Sequence, residues 1–412
     1  MGTFVQKTWG EVLHVVSGKN QKNVLDDNGK YPIYGSGGKI GRAKAFLCEA
    51  GTTIIGRKGS INNPIYVNER FWNVDTAFGL TPSKELNSRF LFFFCQLFNF
   101  KQLDKSTTIP SLAKKDLLKI LMPVPPLPEQ ERIVAKIEEL FSQLDAAVAE
   151  LNAIREKLQI YRQAVLKEAF EGNLTIQWRN NNRKQAELDL KTIYRQQVEF
   201  RDVGGDDTVI PLKKPAEWIK IRLGHIFDIV VGGTPSRRNA DYWGGNIPWV
   251  SSGEIKFQSI NTTKENISDL GLRNSSAKIV PAGSVLLAMI GEGKTRGQAA
   301  ILNTDAAHNQ NTASILVSKT PCSPEYLFFF LQLMYQYTRR VGSGNNQKAL
   351  NKERVKALPF PFASFEEQQL ISDLLQYHFS RIDKILQLID AALRQAATLR
   401  QSILKQAFEG NL

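Results

Sequence analysis

The stretch YRQAVLKEAFEGNL, residues Tyr161–Leu174, returns 238 positions later as LRQSILKQAFEGNL, residues Leu399–Leu412. Ten of these fourteen residues are identical. The correspondence extends upstream without a gap, so that 128–174 aligns with 366–412. Chance does not produce such a match, and we infer that one structural plan occurs twice in the chain.

Both copies carry the pattern of a long helix. Apolar residues are spaced alternately by four and three over more than four heptads, which places them on one stripe. Pro128 suits a first helical turn, and Ser364 with Glu367 is typical of a capping box. Gly172 and Gly410 stand where a left-handed glycine ends a helix. Each helix of about 43 residues would be roughly 60 Å long.

The two helices can bury their stripes against each other, or each can pair with a second chain in a homodimer. Ala392 and Ala396 occupy the stripe positions that Ile154 and Leu158 hold in the other copy. Small residues facing large ones favour unlike helices packing together, so we predict an antiparallel intramolecular coiled coil. The predicted interface residues are Ile133, Ile137, Leu144, Leu151, Leu158, Leu375, Ile382, Ile389, Ala396 and Ile403.

The segments outside the helices also correspond. AGTTII at Ala50 matches AGSVLL at Ala282, and FLFFFCQL at Phe90 matches YLFFFLQL at Tyr326, whereas the intervening loops differ. We predict an α+β fold with a pseudo-twofold internal repeat, in which two mixed β-rich globular domains are separated by the two long helices. The predicted segments are domain 1 at 1–124, helix 1 at 125–174, a linker at 175–208, domain 2 at 209–362 and helix 2 at 363–412.

The repeat makes two further predictions. Within the linker, 183–201 has a helical pattern, and Gly204 begins a breaker. If the halves are related by a pseudo-twofold axis, Leu412 should lie near the start of domain 1, because its counterpart Leu174 leads towards domain 2.

Composition limits the class of protein. With 412 residues, 42% of them hydrophobic, the chain can form two or three domains with real cores. The three cysteines are too few and too scattered for a disulfide framework or a zinc site, which indicates a reducing compartment. We see neither an apolar signal region at the N-terminus nor an apolar run of membrane-spanning length, so we expect a cytoplasmic protein.

The net charge of +13 is unevenly distributed. Residues 1–127 hold 17 basic and 9 acidic side chains, a net of +8, and 173–362 hold 25 and 16, a net of +9. The helical segments 128–172 and 363–412 carry −3 and −1. Two basic domains with near-neutral helices suggest that the domains bind a polyanion and the helices bind protein. The alternative is a general basic background that favours solubility.

Polar, glycine-punctuated loops are the candidate DNA contacts, because lysines and hydroxyls suit phosphates and arginine suits base edges. Each loop could equally be an ordinary solvated turn. In domain 1 the candidates are Tyr34, Ser36, Lys39, Arg42, Lys44, Arg57, Lys58, Lys105, Thr107 and Thr108. In domain 2 they are Arg237, Arg238, Tyr242, Trp243, Ser251, Ser252, Lys294, Arg296, Gln298, Asn345, Asn346, Gln347 and Lys348.

Several motifs together resemble the specificity subunit of Type I restriction-modification systems over essentially the whole chain. They are the PLPEQERIVAKIEELF run that ends at Phe141, the paired FEGNL tails, YPIYGSGG at Tyr31, GGNIPWVSSGEI at Gly244 and VPAGSVLLAMIG at Val280. At the second helix, Glu367–Ile371 (EQQLI) departs from the EQxRI pattern.

This resemblance implies a sequence-specific DNA-binding subunit without catalytic residues. Its two target-recognition domains would each read half of a split site in double-stranded DNA, and its helices would set the spacing and dock modification (methyltransferase) subunits. Restriction subunits, which are ATP-dependent translocases and nucleases, would complete the complex. S-adenosylmethionine, ATP and Mg would then belong to the partner subunits, and no cofactor to this chain.

Three alternatives remain. A coiled-coil scaffold would keep the helices without binding DNA. A P-loop ATPase is suggested by AMIGEGKT at 288–295, although its first position is Ala288 and Gly297 interrupts the helix that would have to follow. A methyltransferase is suggested by NPIY at Asn63, where Ile65 replaces the second proline of the expected motif. We find no metal site, nucleophile or acid–base pair among the four histidines and their neighbours.

Overall fold

The computed structural model describes residues 4–196, 213–291, 293–341 and 350–412. The chain forms two compact units, and each long helix contributes to both. Unit 1 comprises Met1–Ile154 and Gln387–Leu412, and unit 2 comprises Arg155–Leu386.

Two helices of 44 residues dominate the helical content. The α-helices are α1 (Trp9–Val12), α2 (Ser88–Leu97), α3 (Lys114–Leu117), α4 (Leu127–Phe170), α5 (Ile176–Asn181), α6 (Gln185–Gln196), α7 (Leu223–Ile226), α8 (Asp269–Arg273), α9 (Pro324–Leu333), α10 (Tyr335–Val341), α11 (Lys352–Lys356) and α12 (Phe365–Phe408). Short 3-10 helices lie at Phe100–Leu103, Asn173–Thr175, Ala240–Tyr242, Ser252–Glu254 and Val317–Lys319.

The strands of unit 1 are β1 (Gln6–Thr8), β2 (Leu13–Ser17), β3 (Tyr31–Gly35), β4 (Gly38–Ala43), β5 (Thr52–Gly56), β6 (Ile65–Val67), β7 (Trp72–Asn73), β8 (Ala77–Pro82) and β9 (Leu121–Pro123). Those of unit 2 are β10 (Ile219–Arg222), β11 (Ile229–Val231), β12 (Trp243–Val250), β13 (Gln258–Ile260), β14 (Glu265–Ile267), β15 (Val285–Ala288), β16 (Ala299–Leu302), β17 (Ala307–His308), β18 (Thr312–Ile315) and β19 (Pro359–Phe362).

The sheets of the two units have the same order. In unit 1 the order is β2-β8-β5-β6, with a second sheet β4-β3-β7 and a strand pair β1-β9. In unit 2 it is β11-β18-β15-β16 with β13 added at the edge, a second sheet β14-β12-β17 and a strand pair β10-β19. The mixed β-rich domains and the internal repeat predicted from the sequence are therefore confirmed, although the loops of unit 2 add a strand.

An apolar helix, α2 in unit 1 and α9 in unit 2, fills the core of each unit. Asn87 caps α2 by accepting hydrogen bonds from the backbone of Arg89 and Phe90, and Ser323 caps α9 by accepting one from the backbone N–H of Tyr326. In unit 1, Phe90 and Phe94 pack on Phe408 at ring distances of 4.7 and 5.4 Å. The apolar runs thus form core helices that the ends of the long helices cover.

The long helices pack antiparallel inside each unit. In unit 1, Ile133 and Ile137 of α4 share a core with Ile403 and Leu404 of α12. In unit 2 the core joins Val165 and Leu166 at the other end of α4 to residues near the start of α12. All ten predicted interface residues are buried or half-buried. The pairing is intramolecular within each unit, as predicted.

A buried glutamine in the first turn of each long helix explains the repeated Glu-Gln pair. Gln130 Nε2 donates to the carbonyl of Pro125 at 2.8 Å, and its Oε1 accepts from the backbone N–H of Asn87 at 2.7 Å. Gln368 does the same with Ala363 at 2.8 Å and Ser323 at 3.2 Å. Each glutamine therefore ties its long helix to the cap of the core helix.

The helix ends agree with the sequence. Gly172 and Gly410 have φ values of +77° and +76°, the left-handed conformation that glycine adopts without strain. A Cβ on Gly410 would lie 3.3 Å from the ring of Phe4, and Leu412 packs on the same core as Phe4. The end of the chain therefore lies beside the start of unit 1, as the repeat predicts.

Residues 175–196 of the segment predicted as a linker are an integral part of unit 2, whereas the predicted breaker at Gly204 lies outside the described residues. They contain α5 and α6, and Ala186, Leu190 and Ile193 are buried in the main core. Arg179 of α5 forms a buried ion pair with Glu367 at 2.7 Å. Glu367 therefore does not close the predicted capping box with its side chain, although Ser364 Oγ does accept from the Glu367 backbone N–H at 3.2 Å.

Candidate nucleic-acid interface

Two of the predicted loops of unit 1 lie side by side. Lys58 forms a backbone bridge with Ser111, and the N–H of Gly59 donates to the carbonyl of Pro110 at 2.9 Å. Asp104 orders the second loop by accepting from the backbone N–H groups of Ser106 and Ser111, both at 3.0 Å. The Ser106 hydroxyl also donates to this carboxylate at 2.6 Å, and this bond together with the two backbone bonds lowers the pKa of Asp104 below its ordinary value.

These contacts place four predicted residues on neighbouring exposed loops. Lys58, Lys105, Thr107 and Thr108 are all exposed. Lys105 also lies 3.4 Å from Asp116 while its side chain is 79% exposed, so the solvent-screened pair leaves the ammonium accessible. Two cations and two hydroxyls in adjacent loops suit phosphate oxygens.

Arg57, from the same strand end, is half-buried. Its guanidinium lies 5.7 Å from the ring of Phe78 and donates to the carbonyl of Asp75 at 3.4 Å. Arg57 therefore packs on the sheet of unit 1 beside the exposed Lys58.

The hairpin β3–β4 carries the other predicted residues of unit 1. Lys39 and Lys44 are exposed, and Ser36 is half-buried in the turn. The Tyr34 ring packs on Phe71 at 5.6 Å, and partial burial raises the pKa of its phenol above the ordinary value. The hairpin therefore places two exposed lysines near a tyrosine whose ring is half-buried against the core.

Arg42 has an internal role that the sequence did not indicate. Its Nε donates to the carbonyl of Gly29 at 2.5 Å, and its Nη2 donates to that of Lys30 at 3.0 Å. The guanidinium therefore holds the loop before β3, while the side chain stays exposed, so that a DNA contact by Arg42 stays a prediction.

In unit 2, Arg237 is similarly engaged. Its guanidinium binds the carboxylate of Glu265 through two hydrogen bonds of 2.5 and 2.8 Å and stacks on Trp243 at 3.6 Å. The pairing raises the pKa of Arg237 and lowers that of Glu265. Glu265 offsets the charge of Arg237, and the stacking on Trp243 orders the aromatic surface around it. On that surface Arg238 is exposed and Tyr242 is half-buried.

The two predicted serines of unit 2 serve the local fold. Ser251 donates its hydroxyl and its backbone N–H to the buried carboxylate of Glu254 at 2.8 and 2.9 Å. Ser252 accepts from the side-chain amide of Asn309 at 3.3 Å. Their hydrogen bonds thus fix the turn after β12, which the sequence analysis did not foresee.

The P-loop hypothesis is wrong on geometry. β15 and β16 are antiparallel neighbours, so the segment after Ala288 is a hairpin connection, and no helix begins among its described residues, 289–291 and 293–298, to hold phosphates. Lys294 is exposed in this connection, and Gln298 is half-buried. Arg296 donates through Nη2 to the carbonyl of Arg339 at 3.1 Å. The predicted residues Asn345, Asn346, Gln347 and Lys348 lie outside the described residues.

The methyltransferase-like NPIY motif leads into strand β6. Tyr66 at its end shares a hydrogen bond of 3.1 Å with Ser88 and stacks under Arg89 at 4.8 Å. Within the described ranges no three His, Cys, Asp or Glu side chains are placed to hold a metal ion. The helices of those ranges are all too short or too polar to cross a bilayer.

Sequence reasoning missed the residues that hold these loops in place. Asp104 precedes Ser106 in an Asx-turn pattern, so a local signal existed for it. Glu265 and Arg339 act on segments 28 and 43 positions away, for which no local pattern exists. The candidate interface is therefore a set of exposed lysines and hydroxyls on loops that buried or paired charges hold in place.

Residues 1–156 and 215–394 match the family described as Type I restriction modification DNA specificity domain. The EcoBI specificity subunit of Escherichia coli is 26% identical over 87% of this chain and 73% of its own length. The EcoDI subunit of the same species is 22% identical over 98% and 87%. The MjaIX subunit of Methanocaldococcus jannaschii is 28% identical, but the match spans only 41% of that protein.

Two solved structures share the fold. A chain from work on the complex assembly and conformational transition of the type I R-M system superposes with a TM-score of 0.72 at 18% identity, covering 100% of this chain and 99% of that one. The HsdS subunit from Thermoanaerobacter tengcongensis gives 0.59 at 18% identity, covering 100% and 97%.

Proposed function

The chain belongs to the Type I restriction modification DNA specificity family, and from that premise we propose that it reads a bipartite site in double-stranded DNA, one half with each unit. The observation that carries this proposal is the repeated plan. Both units have the same sheet order and core, while their exposed loops differ. Conserved cores with different loops suit two readers of different half-sites.

Recognition would combine two kinds of contact. Exposed lysines such as Lys39, Lys58 and Lys294 neutralise phosphates, which gives affinity that falls with salt. Exposed polar side chains then discriminate base edges at about 1 to 3 kcal/mol for each good bidentate pair. The net charges of +8 and +9 in the two globular segments support the phosphate contacts.

The helices α4 and α12 would set the gap between the half-sites and dock modification (methyltransferase) subunits. Restriction subunits would complete the assembly, and S-adenosylmethionine, ATP and Mg would be bound by these partners. This chain would act by recognition alone, without a catalytic step of its own, in the cytoplasm where DNA is accessible.

The spacing proposal is tested by lengthening both helices. Inserting four residues into each adds ~6 Å, close to two base pairs of duplex. Mapping the methylated adenines in cells that express the chain with its partner subunits gives the preferred gap, which should increase by about two base pairs. An unchanged gap would show that the helices do not set the spacing.

The competing hypothesis is a coiled-coil scaffold that does not bind DNA. Duplex affinity measured at several salt concentrations separates the two, because a phosphate-binding protein shows a linear loss of log affinity with log salt. A scaffold would show no such dependence.

A further inference from the structure

Side chains of the short helix α10 donate hydrogen bonds to backbone carbonyls of the connection between β15 and β16. Tyr335 Oη donates to the carbonyl of Lys294 at 2.6 Å. Arg339 Nη1 donates to the carbonyl of Gly293 at 2.6 Å and to that of Arg296 at 3.5 Å. Three of the four carbonyls in 293–296 therefore face α10.

Further contacts make this attachment tight. Gly297 has a φ of +84°, and a Cβ there would lie 2.6 Å from Oγ1 of Thr338, so only glycine fits against α10. Arg296 returns a hydrogen bond to the carbonyl of Arg339. The Tyr335 ring itself is held by Phe257 at 5.3 Å. The segment is therefore fixed along its length.

This arrangement decides where the amide groups of the segment point. The described chain has no cis peptide bond, and in a trans peptide the N–H points opposite to the carbonyl of the preceding residue. Because the carbonyls of Gly293 and Lys294 face α10, the N–H groups of Lys294 and Thr295 face away from it. The exposed ammonium of Lys294 belongs to the same segment. Adjacent amide donors and a cation suit an anionic oxygen.

We propose that 293–296 binds a backbone phosphate of the half-site that unit 2 reads, and that Tyr335 and Arg339 are positioning residues for this contact. The proposal rests on the function proposed above, and it assigns α10 a role in recognition. Arg339 would act by donating hydrogen bonds to the carbonyls of the segment rather than by binding the phosphate. A lysine in its place would keep the positive charge but would not hold the segment in the same position.

The test uses the full chain in complex with its modification subunits and measures duplex affinity against salt. K294A should lower affinity by roughly threefold to tenfold and reduce the salt slope by about one. Y335F and R339K leave the net charge unchanged, yet each should lower affinity to a similar extent. K191A removes a lysine that pairs with Glu187 on α6, and it should leave affinity and slope unchanged.

A double-mutant cycle distinguishes positioning from direct contact. If Arg339 acts through the segment, the loss in K294A/R339K should be smaller than the sum of the two single losses, because both changes weaken contacts with the same phosphate. Additive losses, or full affinity in R339K, would overturn the proposal while leaving DNA recognition intact. A wild-type complex without salt-dependent duplex affinity would instead overturn the proposed function as well.

Discussion

In unit 2, Nη1 of Arg162 lies 2.6 Å from Oδ1 of Asp383, an ion pair between α4 and α12. In unit 1, Arg400 pairs with Asp145. Arg400 is the repeat counterpart of Arg162, and Asp383 is that of Asp145, each pair being 238 positions apart in the chain. Each arginine also stacks on a phenylalanine ring at 4.2 Å. The repeat therefore preserves the same contact between the helices in both units, with the roles of the two helices exchanged.

The ring contact should contribute more than the ion pair. Asp383 has a side chain that is 51% exposed, so solvent screens its charge, and D383N should cost under about 0.5 kcal/mol of unfolding free energy. R162A also removes the stacking on Phe379 and should cost about 1 to 2 kcal/mol. Urea unfolding measures both, and D145N and R400A should rank the same way in unit 1. A larger loss for D383N than for R162A would contradict this account.

The buried Glu367 should be far more important than its counterpart Glu129. Its carboxylate accepts from Arg179 at 2.7 Å, Thr175 at 2.6 Å and Trp218 at 2.8 Å. E367A leaves the Arg179 charge buried with only the longer contact to Glu217, at 3.6 Å, and should cost about 3 kcal/mol, the low end for a broken buried ion pair.

Glu129 provides the matched control. It pairs with Arg132 at the surface, where the side chains are 32% and 54% exposed, so E129A should cost under about 1 kcal/mol. Thermal unfolding of both variants is the measurement. Equal losses would mean that the buried network does not stabilise unit 2.

The sequence predicted the long helices because their signal is local and repeated. The helical period, the apolar stripe and the glycine at the end all lie within each copy of the repeat. The core helix at Phe90 has a local signal too, because its residues are almost all apolar. It did not predict that 175–196 belongs to unit 2, since the partner of Arg179 is 188 positions away. Contacts at that distance leave no periodic trace in a single sequence.

The same limit applies to the candidate interface. Exposed lysines such as Lys58 could be placed from glycine-rich turns, whereas the hydrogen bonds that Arg42 and Arg237 make within the protein could not. An arginine in a polar loop has the same appearance in sequence whether it binds DNA or a carbonyl. Only the packing of Glu265 or Gly29 beside it decides.

The two helix-ending glycines should respond differently to alanine. Both have positive φ, which costs about 1 kcal/mol for alanine. At Gly410 the new Cβ meets only the Phe4 ring at 3.3 Å, whereas at Gly172 it would lie 2.2 Å from Pro215 and 2.6 Å from Arg179. G172A should therefore lose about 1 to 3 kcal/mol more than G410A in chemical unfolding. Equal losses would show that the surroundings of Gly172 relax freely.

His308 should make unit 2 sensitive to mild acid. The ring is buried, its Nε2 lies 2.7 Å from Oγ of Ser314, and burial lowers its pKa from 6.5 to about 4. As the pH falls below 6.5, the unfolded chain takes up a proton that the folded chain does not, so stability decreases until about pH 4. The full loss is about 3 kcal/mol. The measurement is the unfolding free energy at about pH 7 and at about pH 5, a range in which most carboxylates stay ionised. Wild type should show the decrease, and so should the control H14Q, which changes an exposed histidine. H308Q should not show it. A decrease that persists in H308Q would assign the acid sensitivity to another group.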